Sequence, residues 1–140
     1  MQPALSARAA RKEAQPDEPA ASGTSPASLA ESAHRVAEAW GDPGAYEGTT
    51  EFGPGEMPAG FAATVTLGEL ALHGWDLARA TGRPFAISED AAQVALGAVG
   101  QFAEGARANG SFGPPVSVSA DAPALHRVLG ASGRNPEWRG

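Results

Sequence analysis

Residues 69–82 read ELALHGWDLARATG, and the fold turns on how that stretch is read. Stepping about 100° per residue around a helix, Glu69, His73 and Asp76 fall within about 60° of one another. Leu70 and Leu77 flank this polar stripe on one side, Val65 and Leu72 on the other. Arg79 is the only other charged residue between Phe61 and Ala80. The pattern predicts an apolar helix over 61–81, central in an all-α fold, with its three polar groups at least partly buried. Gly82 followed by Pro84 supplies the stop.

A buried carboxylate or imidazole without a partner costs several kcal/mol, so such a stripe calls for a metal ion or a dense hydrogen-bond network. A Glu and a His four residues apart lean over the same turn and converge well enough to share a divalent cation. Asp76, three residues beyond His73, is placed to accept the other imidazole N–H and fix the tautomer. Glu69 and His73 are therefore the candidate metal ligands, with Asp76 behind them. The spacing alone is weak evidence, and a plainer alternative is an Asp76–Arg79 helix pair beside a hydrogen-bonded His73. His34 lies off the apolar stripe of its own helix beside Glu31 and Glu38, which predicts a solvated side chain. His126 would reach the site only if the last helix folds back.

Outward from this segment, Leu29, Ala33, Val36 and Trp40 recur at helical spacing and predict a core-facing helix from Ala27 to Trp40. Ser28 is its expected N-cap, with Glu31 completing a capping box, and GDPG from Gly41 ends it. Gly and Pro crowd the 41–60 segment, where EFGPGEMPAG predicts turns and one short hairpin. Ser88, followed by Glu89 and Asp90, predicts the start of a third helix with Ala91, Ala95, Val99 and Phe102 on its buried face. After an extended linker, Asp121 is the expected cap of a short helix over Ala122–Leu129 that stops at Gly130. Residues 1–27 carry four prolines and almost no large apolar side chains, the composition of a disordered Ala/Ser/Pro-rich tail. The helical domain is thus expected over 28–138.

The 140 residues suffice for one small domain, and the formal net charge of −6 argues against nucleic acid or an anionic membrane as partner. No cysteine is present, so disulfides and thiolate chemistry from the chain itself are excluded. The start lacks a secretory h-region and no apolar run approaches a membrane span, which points to a cytoplasmic protein. No P-loop, GxGxxG fingerprint or GxSxG elbow occurs.

LGELALHGWDLARATGRP (67–84) and FGPPVSVSADAPALHRVLGASGRNPEW (112–138), with a looser match in HRVAEAWGDPGAYEGTTEFGPGEMPAG (34–60), resemble the bacterial family related to mycothiol-dependent maleylpyruvate isomerase. These are DinB-like metal-binding proteins. The resemblance covers about Leu29 to Trp138, and E-x-x-x-H-G-W-D-L-A is its specific part. It implies a four-helix-bundle type of fold and a divalent metal, zinc in the first instance, with Glu69 and His73 as two of three ligands. It also implies a small thiol such as mycothiol, activated by the metal, and an isomerase or thiol-transferase activity on a small-molecule substrate. The family's third ligand is a histidine on a helix N-terminal to the matched region. The first 28 residues here contain no histidine, so the resemblance is to an N-terminally truncated member. Two rival readings remain: a non-catalytic remnant or interaction module that homodimerises through its exposed apolar face, and a small helical domain whose stripe is simply hydrogen-bonded.

Overall fold

The computed structural model describes residues 25–140; the expected tail over 1–27 therefore lies outside the described residues apart from its last three. The chain is mostly helical. It divides into two compact units, Met1–Ala63 and Thr64–Gly140, and the expected helical character holds, with one two-stranded sheet in the first unit.

In the first unit, helix α1 spans Pro26–Gly41. Its N-cap is Ser25 rather than Ser28: Ser25 Oγ accepts from Ser28 N at 3.1 Å while Ser28 Oγ accepts from Ser25 N at 3.0 Å. Pro26 follows at the first helical position, where a missing N–H costs nothing and the fixed φ already suits a helix. That preference moves the start upstream and leaves Glu31 to pair with Arg35 at 3.5 Å. The expected core-facing stripe is not buried either. No α1 residue is buried, and Leu29 is 58 % exposed. At its far end Tyr46 Oη donates to the Trp40 carbonyl at 2.7 Å and the two rings lie 5.5 Å apart.

Asp42 ends α1 and caps a 3-10 turn over Pro43–Tyr46, its Oδ1 accepting from Gly44 N at 3.0 Å. Strands β1 (Thr49–Phe52) and β2 (Gly55–Pro58) then pair antiparallel around the two-residue turn Gly53–Pro54. The hairpin expected from EFGPGEMPAG is present. The chain passes directly into helix α2, Ala59–Ala80.

The second unit holds the rest of α2, helix α3 (Glu89–Ala108) and helix α4 (Ala124–Ala131). α2 closes as expected: Gly82 N donates to Arg79 O and Arg83 N to Ala78 O at 2.8 Å, the paired bonds of a Schellman stop. α3 starts at Ser88, whose hydroxyl accepts from Ala91 N at 3.1 Å. Its buried face carries Ala95 and Val99 as expected, together with Ala92, Ala98 and Ala103. Leu72 and Trp75 of α2 meet Val99 of α3 and Val128 and Leu129 of α4 in one core, with Phe85, Phe102 and Phe112 packed on its rim.

Helix α4 departs from the sequence reading at both ends. It begins at Ala124, and Asp121 does not cap it. The first free amide, Ala124 N, instead donates to Glu89 Oε1 at 3.2 Å, so the first turn of α3 caps α4 across 35 residues. At the other end the helix runs through Gly130, which is required by packing rather than by a turn. A Cβ there would sit 2.6 Å from both Val116 O and Val118 Cγ2. Lying this close, the extended segment also donates Val116 N to Gly130 O at 2.9 Å.

Candidate functional site

All three residues of the predicted stripe meet on α2 within the second unit. His73 Nε2 lies 3.0 Å from Glu69 Oε2, and His73 Nδ1 lies 3.4 Å from Asp76 Oδ2. The imidazole is thus bracketed, one carboxylate at each ring nitrogen. The Glu69 contact is a hydrogen bond, and the Asp76 contact is a longer charge-to-ring approach. The expected partial burial holds for the carboxylates and fails for the histidine, whose side chain is 67 % exposed. Val65 and Leu72 turn into the protein, whereas Leu70 and Leu77 are 59 % and 60 % exposed. The stripe therefore runs along the border between the buried and open faces of α2.

The strongest bond in the site comes from a residue that no local pattern could single out. Arg134, two residues beyond Ser132 at the end of α4, donates Nε to Asp76 Oδ1 and Nη2 to Asp76 Oδ2, both at 2.7 Å. This is the fork geometry in which guanidinium and carboxylate match best. Nη1 donates to Ser132 Oγ at 2.9 Å, and that buried hydroxyl donates to Leu129 O at 2.8 Å. The Arg134 side chain is only 18 % exposed. Its hydrogen bonds hold the Asp76 carboxyl below the usual carboxylate range; partial burial opposes this, and the charge of Arg134 and contact with His73 reinforce it.

The plainer Asp76–Arg79 pairing is corrected by this arrangement. The Arg79 guanidinium lies over the Trp75 ring at 5.5 Å, and its Nε is buried without a hydrogen-bond partner among the described residues. Trp75 in turn packs 6.3 Å from Trp138. His34 is exposed, as expected, and His126 is half-buried on α4.

Glu69 and His73 suit a divalent cation in kind, being an oxygen and a nitrogen donor side by side, but not in number. Asp76 faces the opposite ring nitrogen and has both oxygens on Arg134. Among the described residues no group of three or more His, Asp and Glu side chains could hold a metal ion, so His126, in the same unit, does not complete the pair. Zinc sites take three or four protein ligands.

The fold and site together define a mostly helical protein with an exposed carboxylate–imidazole–carboxylate bracket locked from behind by an arginine. No family model, curated protein or solved structure matches the chain. No described helix is long and apolar enough to cross a membrane.

Proposed function

We propose that this is a cytoplasmic DinB-like protein that binds a divalent cation, zinc in the first instance, through Glu69 and His73. On this reading its chemistry belongs with mycothiol-dependent isomerisation or thiol transfer on a small-molecule substrate. One observation supports it above the rest: the exposed His73 has its Nε2 beside Glu69 while Nδ1 faces a carboxylate. That is the division of labour seen when one nitrogen ligates and the other is held by an outer partner. The donors still required would come from outside the described residues, a small thiol being the partner that the resemblance implies.

The test is elemental mass spectrometry on protein purified without chelator, with light scattering on the same sample. Near-stoichiometric metal that disappears in His73→Ala supports the reading. Protein that stays metal-free after zinc addition refutes it.

A second reading is a non-catalytic interaction module that homodimerises through the open face of α2. The exposure of Leu70 and Leu77, one turn to either side of His73, favours it. A dimer that survives Glu69→Gln and chelation, and separates on Leu70→Glu, would establish it.

A further inference from the structure

An exposed imidazole on a helix surface has several rotamers open to it, and what restricts this one is its two carboxylates. Glu69 has a flexible three-bond side chain. Asp76 does not move freely, because both of its oxygens are gripped at 2.7 Å by Arg134. Arg134 is itself fixed by its surroundings. Its backbone N donates to Leu129 O at 2.8 Å, and its Nη1 reaches the buried Ser132 hydroxyl. The preceding Gly133 sits at φ 85°, where a Cβ would come within 2.9 Å of the Gly113 backbone. The rigidity of the α4 terminus is thus passed through one fork to Asp76 and from there to His73 Nδ1.

We propose that Arg134 is the positioning residue of this site: by pinning Asp76 against Nδ1 it fixes the ring of His73 and leaves Nε2, beside Glu69, as the nitrogen offered to a ligand. The proposal rests on the cation-binding reading for its purpose, although the positioning itself is measurable without metal. Arg134 touches neither Nε2 nor Glu69 and acts only through Asp76. A lysine at 134 keeps a charge and an alkyl stem but loses the planar fork.

The experiment is imidazole nitrogen NMR on the intact, metal-free chain, comparing wild type, Arg134→Lys and Asp76→Asn, with His34 as an internal control in the other unit. The His73 Nδ1 and Nε2 shifts are expected to move in the same direction in both variants, toward those of an unconstrained ring, while His34 stays put. Unchanged His73 shifts in a folded Arg134→Lys protein would overturn the proposal. The same proteins are then titrated with zinc alone. Each substitution is expected to weaken zinc by about 10- to 100-fold, and the double variant by no more than the larger single loss, since both act on one path. Multiplying losses would show that Arg134 acts independently of Asp76 and would equally overturn it. Wild type that takes up no zinc refutes the cation reading alone and leaves the spectra to decide the role of Arg134.

Discussion

Replacing Gly130 by alanine reverses the usual effect of that substitution in a helix. Within a helix Gly→Ala ordinarily stabilises by up to about 1 kcal/mol, because glycine has more backbone freedom to lose. At Gly130 the new methyl would lie 2.6 Å from Val116 O and from Val118 Cγ2, well inside van der Waals contact. One of these is a backbone oxygen and cannot rotate away. Relief requires the 116–118 segment to lift, which strains or breaks the 2.9 Å bond from Val116 N to Gly130 O. Overpacking of this kind costs about 1–3 kcal/mol and the lost bond about 1 kcal/mol. Set against the propensity gain, the expected net loss is about 1–3 kcal/mol, or roughly 4–12 °C in Tm for a domain near this size. The control is Gly97→Ala on α3, where a Cβ meets nothing within 4 Å and a gain of about 0.5–1 kcal/mol is expected. Urea and thermal unfolding followed by far-ultraviolet circular dichroism measure both. A Gly130→Ala protein as stable as its Gly97→Ala counterpart would refute the packing of the extended segment on α4.

Other changes probe the remaining joints. Leu129→Ala, which empties a fully buried position, is expected to cost about 2–5 kcal/mol in urea unfolding; a loss under 1 kcal/mol would contradict the core as described. Ser88→Ala removes the hydroxyl that caps α3, with an expected cost of about 1 kcal/mol, whereas Asp121→Ala is expected to be neutral. The Asp76 carboxyl is depressed below its ordinary value of 3.8 by Arg134. Its contribution is therefore complete above that value and is lost as pH falls from there through the lower folded-state value. The stability gap between wild type and Asp76→Asn should accordingly narrow below pH 4; a gap that widens on acidification would contradict the ion pair.

Local chemistry was legible in the sequence wherever cause and effect lie within a few residues. Ser88 starts α3, Gly82 ends α2, and the i, i+4 and i, i+3 spacings bring Glu69, His73 and Asp76 into contact. Partners supplied by tertiary structure were not. Asp76 meets an arginine 58 residues downstream in preference to Arg79 three residues away, because Arg79 is drawn over Trp75. Ala124 is capped by Glu89 although Asp121 stands nearby in sequence. The periodicity around Leu29 and Val36 marks a helix but not a buried one, since a stripe states which face is apolar and not whether anything covers it. Leu70 and Leu77 teach the same lesson on α2.

Glu89 carries one last consequence. Its carboxylate belongs to the first turn of α3 and also receives the leading amide of α4, so two helices begin at a single side chain. In amide-exchange terms the Ala124 proton is guarded by a group on another helix rather than by its own ladder. It can exchange only when the α3 entrance lets go, so its protection should track that of Ala92 and Ala95 rather than that of the preceding linker, making α3 and α4 one cooperative opening unit.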